Sequence, residues 1–413
     1  MNKLSCYNLS LTFAMKRAKI FVTQWVVPAL LLSASFMDTG NYVSAVSAGT
    51  ISKYQQLIPL VVAHIMAGVL QYLSIILGVK TKLNLGENFR KRLPHCACVV
   101  LGVASVSAIV LTDICQVIGS AVALEVLFDI STLPAVLLSV FDVSMLWRFH
   151  RTSTWLRQAT EMAVAFFSLI IFSLIFVDLV NIREKLNFKT ILVGAGPSAD
   201  MLRYDNYILS LSLLGSTAMP HSLFLVSEMA KMMFLDQQGL IYALSRKKTQ
   251  EFIKDLTIRL VFMGVFGALI LNVSLVVLSA ALSNDSNNRK NFSGLRDVYS
   301  LFSESLSQNA GTCFLYMLLL SGQSFGFIGN WVLDIVLKGM FDSGENKESF
   351  MMKINVRYIS VCVCFICAWI GGDKMLTFMI NATQVVLAAV LALVSAPLVV
   401  LVCQSSFMSS TIE

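Results

Sequence analysis

Ser35-Phe36-Met37-Asp38-Thr39-Gly40-Asn41 sits inside a long apolar run, and the run cannot stay smoothly helical through it. Gly40 weakens a helix, and the short Asp, Thr and Asn side chains compete for its backbone groups. A second stretch, Gly215-Ser216-Thr217-Ala218-Met219-Pro220-His221-Ser222, repeats the interruption further along. Pro220 brings no amide donor, and its ring clashes with the carbonyl four residues back. The chain has only 7 Pro, so one within an apolar run is informative. Non-helical backbone at membrane depth is tolerated only where it is buried in protein or lines a cavity. These two stretches decide the fold if the runs around them cross a bilayer.

The composition says that they do. Of 413 residues, 56% are hydrophobic and 13% are charged, against about 25% charged in a soluble domain. That balance excludes an ordinary soluble enzyme and a disordered chain. Apolar runs of about 20 residues recur from end to end, each long enough to cross a core of about 30 Å as a helix. A membrane barrel needs short alternating strands, and the sequence does not alternate. Hydropathy predicts ten spans, at 22–48, 56–79, 97–126, 130–147, 160–180, 206–235, 257–283, 309–339, 358–380 and 382–404. The two interruptions fall in the first and sixth. Two halves of five spans, each opening with a broken helix, point to an inverted-repeat transporter whose site lies between the breaks near the midplane. The expected organisation is a tail at 1–21, a first repeat at 22–180, a connection at 181–205, a second repeat at 206–404 and a short tail at 405–413.

The net charge of +7 follows the loops rather than a nucleic-acid-binding face. With the N-terminus inside, 22 of the 31 Lys and Arg fall in cytoplasmic segments and nine outside, which favours both termini in the cytoplasm. Two Asn-x-Ser sequons, at Asn284 and Asn291, then fall in an outside loop, where a glycan can be added. Most of the 9 Cys lie in apolar runs and suggest no disulfide framework. Cys362, Cys364 and Cys367 read as packing residues. No phosphate loop, Ser-His-Asp set or cofactor motif argues for an enzyme.

Ionisable residues inside spans are functional candidates by default. Here they are Asp38, Asp113, Glu125, Asp142, His221, Glu228 and Asp334. Asp38 and His221 stand apart because their neighbours break the helix. Asp38 offers a carboxylate, Asn41 an amide oxygen, Met219 a thioether, and the turn around Ser216 a freed carbonyl. A thioether is wasted on Mg²⁺ or Ca²⁺, so mixed oxygen and sulfur donors suit Mn²⁺, Fe²⁺ or a softer divalent ion.

These segments resemble the Nramp (natural resistance-associated macrophage protein) family of divalent-metal transporters, which have the leucine-transporter fold. Asp38-Thr39-Gly40-Asn41 matches the family's Asp-Pro-Gly-Asn motif, and the stretch from Gly215 through His221 its Met-Pro-His segment. Leu70-Gln71-Tyr72-Leu73 resembles its second span, and Thr112-Asp113-Ile114-Cys115-Gln116-Val117-Ile118-Gly119 its third. Ser321-Gly322-Gln323-Ser324 matches its eighth and Thr383-Gln384-Val385 its tenth. The resemblance spans about residues 25–403. It implies proton-coupled import of Mn²⁺ or Fe²⁺, with no permanently bound cofactor. It makes Asp38, Asn41, Met219 and the Ser216 carbonyl the metal ligands, with Gln384 approaching in some conformations. Asp113 and His221, with Arg357 beside them, belong to the implied proton route.

Three positions depart from the family. Thr39 replaces the motif's Pro and softens the first break. Gln116 stands where the family usually has Glu, and an amide cannot titrate. Val226 replaces a second His, removing another group that titrates near neutral pH. The metal ligands are kept while the proton path is depleted. Two other readings stay open: a small-solute transporter on the same fold, and a metal-binding sensor that does not transport. A multi-pass protein of the plasma membrane or of a vacuolar or endosomal membrane is expected; its oligomeric state and its preference between Mn²⁺ and Fe²⁺ are open.

Overall fold

The computed structural model describes residues 36, 38–140, scattered positions between 162 and 180, 188–196, 199–238, 246–285, 294–305, 307–341 and 356–404. Among the described residues the chain is helical, and six helices are long and apolar enough to cross a membrane. The expected tails, the first part of span one, the end of span four and most of span five lie outside the described residues, and so do Asp142 and Asn291.

In chain order the helices are α1 (Thr39–Ser52), α2 (Leu57–Thr81), α3 (Leu85–Arg92) and α4 (His95–Phe128). After a helical stretch at 132–140 come α5 (Phe188–Gly194), α6 (Tyr204–Thr217) and α7 (Pro220–Gln238). Then follow α8 (Arg246–Thr257) and α9 (Met263–Asp285), joined by a π-helical turn at Ile258–Phe262. The last are α10 (Leu295–Ser305), α11 (Gln308–Phe341) and α12 (Val356–Cys403).

Three features differ from the hydropathy reading. The last two spans are one continuous helical assignment, α12, interrupted at Gly372 (φ 57°, ψ −149°), not near residue 381. Only glycine adopts that conformation without strain. The limbs before and after it run out and back along α4: Arg357 pairs with Asp113, Asp373 with Arg296 near the far end, and Thr383 again with Cys115. Hydropathy is blind to a reversal whose turn is a glycine among apolar residues. The segment read as a plain loop after span two holds α3, started by a capping box in which Asn84 and Glu87 satisfy each other's backbone amides. The loop before span eight holds α10, whose buried Leu295, Val298 and Phe302 recur at helical spacing along one face. Asn284 lies in the last turn of α9 rather than in a loop.

The helices form two packing groups, linked where α6 packs on the second limb of α12. In one, α1 packs on α9 and α6, and α7 on α2. In the other, α4 packs along both α11 and α12. Lipid tails are as apolar as the side chains, so association in a bilayer depends on close fit and small residues. Hydroxyls along the spans satisfy themselves on their own helix: Ser74, Ser105, Thr112 and Ser324 each donate to the carbonyl four residues back.

Two apolar clusters fill the interior, and most spans contribute to both. On α4, Cys98–Ile109 belongs to one cluster and Ile114–Ala123 to the other. On α11 the division falls between Leu318 and Phe327, and on the second limb of α12 between Ile380 and Leu387. On the first span it falls between Phe36 and Tyr42. Polar residues occupy the crossings: Asp38 to Asn41, Thr112, Asp113, Gln116, Ser216, Thr217, Ser321, Thr383 and Gln384, all buried. The interior therefore has a polar layer between two apolar ones.

Candidate metal site at the two helix breaks

The first break is a helix start. Asp38 is extended (φ −109°, ψ 159°), and its Oδ1 accepts the Asn41 amide at 2.7 Å, capping α1. That leaves Oδ2, fully buried, with no hydrogen-bond partner. Asn41 is held by Nδ2 donating to the Phe36 carbonyl at 2.5 Å, across the break. The amide oxygen of Asn41 is thereby directed away from that carbonyl, as a ligand would need.

The second break follows from covalent chemistry. α6 ends at Thr217, Ala218 is non-helical (φ −96°, ψ 66°), and α7 restarts at Pro220. Pro220 has no N–H to give to the Ser216 carbonyl, so that oxygen loses its normal helical donor. The Ser216 hydroxyl turns back to the Leu213 carbonyl at 3.1 Å. Met219 occupies the turn itself and is 1% exposed. It accepts through its carbonyl from the Ser222 amide.

Gln384 joins the two breaks. A Cβ on Gly40 would overlap the Gln384 amide, and one on Gly215 would overlap the Gln384 carbonyl. Only glycine at both places lets α12 approach so closely. Gln384 Nε2 donates to Cys115 Sγ at 3.4 Å, and Cys115 also meets Thr383 Oγ1 at 2.9 Å. The nitrogen is thus turned to the sulfur, and Oε1 is buried without a partner. Two unpartnered, buried oxygens, Asp38 Oδ2 and Gln384 Oε1, are what a cation would satisfy. Among the described residues no group of three or more His, Cys, Asp or Glu is set to hold a metal ion. An ion here would meet one carboxylate and otherwise neutral oxygen and sulfur donors. Such a set holds an ion less tightly than several charged ligands, which suits a cargo better than a resident metal.

Asp113 and Arg357 form a buried ion pair at 3.1 Å, both 2% exposed or less on their side chains. Arg357 Nη2 also donates to the Gly322 carbonyl at 2.6 Å. The pair ties α4, α11 and α12 together, and removing one partner would strand a buried charge. His221 follows the second break, buried, with neither ring nitrogen hydrogen-bonded. Its ring meets Phe325 edge-on at 5.2 Å. Gln71 reaches Ser222 Oγ at 3.5 Å, and Gln323 lies part-buried on α11. Val226, the departure from the family in this span, is buried among apolar neighbours.

Glu125 and Glu228 lie away from this layer. Glu125 bonds Thr132 and Arg296, and Arg296 also pairs with Asp373 at 3.3 Å beside the Gly372 reversal. Glu228 accepts from Asn84 at 2.8 Å, and Lys231 bridges it to Glu87 at the start of α3. Both are clamps at opposite ends of the bundle. The sequence reading did not single out Cys115 and Thr383, which orient Gln384. It also passed over the buried His64, whose Nδ1 lies 2.9 Å from the Leu60 carbonyl and Nε2 3.4 Å from Asn272 Nδ2. A His in an apolar span was the available signal.

Solved structures share this architecture. A manganese transporter of Eremococcus coleocola superposes with a TM-score of 0.78 at 24% identity, covering 95% of this chain and 81% of that one. A nucleobase-cation-symport-1 family transporter in a closed conformation superposes at 0.59 and 11% identity, covering 86% and 73%. The fold is the leucine-transporter-like one. Among sequences, the manganese transporter SMF1 of Saccharomyces cerevisiae is 28% identical over 94% of this chain and 72% of its own length. The iron transporter SMF3 of the same yeast is 30% identical over 91% and 80%. The family described as Natural resistance-associated macrophage protein-like matches residues 29–412. The chain therefore belongs to the Nramp family of membrane transporters, and not to a family of enzymes.

Proposed function

We propose that this protein carries Mn²⁺ or Fe²⁺ into the cytosol by alternating access, binding the ion between the two helix breaks. The observation that carries the reading is the pair of unpartnered buried oxygens, Asp38 Oδ2 and Gln384 Oε1, with Gln384 packed against both breaks at Gly40 and Gly215. Asp38, Asn41, Met219 and the Ser216 carbonyl supply the ligands, and Gln384 closes over them. The mixed donor set matches a borderline divalent ion. The similarity to manganese and iron transporters supports the same substrate class. Rocking of the α1, α2, α6, α7 and α9 group against the α4, α11 and α12 group would open the site to each side in turn.

Proton coupling is the weaker limb of the mechanism. Gln116 and Val226 titrate nothing, so any proton route runs through Asp113 and His221, with Arg357 paired to Asp113. The positive-inside bias favours both termini in the cytoplasm, and glycans would attach at Asn284 and Asn291. The division into two five-span repeats at 22–180 and 206–404 belongs to the same proposal.

The test is Mn²⁺ uptake with simultaneous internal pH in proteoliposomes, with and without an imposed pH gradient. Metal entry is expected, with fewer protons per ion than a fully coupled symporter. Absence of both Mn²⁺ and Fe²⁺ uptake by folded protein would overturn transport in favour of a sensor.

A further inference from the structure

Two of the family departures touch each other. Thr39 Oγ1 donates to Gln116 Oε1 at 3.0 Å, and the Thr39 amide reaches the same oxygen at 3.4 Å. Ser321 Oγ adds a third donor at 3.2 Å. Thr39, Gln116 and Ser321 are all 0% exposed. One amide oxygen thus gathers donors from α1, α4 and α11 in the same polar layer as Asp38.

The geometry has a specific cause at each end. Thr39 is the first residue of α1, and the first amides of a helix have no partner inside it. Asp38 Oδ1 takes the Asn41 amide, and the Thr39 amide goes to Gln116. Proline is favoured at that position because it brings no amide to satisfy. Having an amide there creates a need that Gln116 meets. Gly119, one turn along α4, makes the approach possible: a Cβ there would overlap the Thr39 hydroxyl and methyl. The contact also crosses between the two packing groups, from the helices that carry Asp38 and Met219 to those that carry Asp113 and Arg357.

We propose that Thr39, Gln116 and Ser321 form an uncharged tether that sets the angle of the Asp38 turn against α4, so that residues 39 and 116 act as one unit. They are positioning residues: neither needs to touch the ion. The consequence for transport rests on the metal reading above. The tether itself does not.

A buried hydrogen-bonding group left without its partner is worse than a pair removed together. The variants Gln116→Met, Thr39→Pro and the double variant separate these cases. Gln116→Met strands the Thr39 amide and hydroxyl, whereas Ser321 keeps its interaction with Tyr42. This variant is expected to raise the Mn²⁺ KM about tenfold with kcat within about twofold. Adding Thr39→Pro removes both of those donors, so the double variant is expected to recover to within about threefold of wild type. The melting temperature should follow the same order, lowest for Gln116→Met alone. Thr39→Ser, which keeps both donors, is the conservative comparison and should stay close to wild type in KM.

Independent effects, with the double variant worse than Gln116→Met, overturn the proposal. So does an unchanged KM in Gln116→Met, or a loss confined to kcat. If the wild-type chain takes up no Mn²⁺, the transport reading falls. The order of melting temperatures then still decides the tether.

Discussion

The two helix breaks both interrupt an apolar span and differ in construction. At Pro220 the interruption is covalent: no partner has to be in place for the Ser216 carbonyl to lose its donor. At Asp38 it is conditional. The turn is held by the Asp38 cap on Asn41, by Asn41 reaching back to Phe36, and by Thr39 bonding Gln116 on another span. A break written into one ring is stiff and local. A break assembled from side chains can be adjusted by whatever moves α4. The contrast teaches that the same gap in a helix can be set by sequence at one place and by packing at another.

The comparison can be broken at its strongest point by Asp38→Ala. That substitution removes the carboxylate of the site and the cap of α1 together. Mn²⁺ uptake in vesicles should fall by about 100-fold or more, since a cap costs about 1 kcal/mol and a charged ligand far more. Uptake that persists at wild-type level would remove Asp38 from the site.

Pro220→Ala sharpens it from the other side. Restoring an amide lets α6 and α7 approach a continuous helix, and stability should rise by up to about 3 kcal/mol in thermal unfolding. Transport should fall about tenfold, as the Ser216 carbonyl regains a helical partner. A variant that is both more stable and fully active would show that the second break is incidental.

The smallest expected effect is at Met219→Ala. Loss of the thioether leaves oxygen donors only, which no longer disfavour hard ions. In competition assays Ca²⁺ should gain on Mn²⁺ by about fivefold, roughly the effect of one neutral donor. Unchanged competition would mean that Met219 fills space.

Much of this was legible in the chain because the signals are local. Pro220 breaks a helix anywhere, and Asp38-Thr39-Gly40-Asn41 weakens one wherever it occurs. Gly372 was missed because a left-handed turn between two apolar limbs leaves hydropathy unchanged. The capping box at Asn84 and Glu87 was visible in principle, but α3 is short and polar and does not register as a span. Glu125 read as a residue buried in the membrane, and its partner Arg296, which also pairs with Asp373, is distant in sequence. Each departure from the family pattern was visible by itself, and read alone each was a loss. Their contact was not visible, because residues 39 and 116 meet only through the packing of α1 on α4.

By itself the sequence determined that the chain crosses a membrane many times, that two spans are interrupted, and that the interruptions carry a carboxylate, an amide and a thioether. Those are properties of composition and of single turns. Tertiary structure alone decided that the polar residues share one layer, that Gln384 closes on both breaks over two glycines, and that Asp113 is neutralised by Arg357 from another helix. The reason is physical. A helix break costs or saves energy within a few residues, whereas a buried donor finds its acceptor only once separate helices have been brought to within about 3 Å of each other.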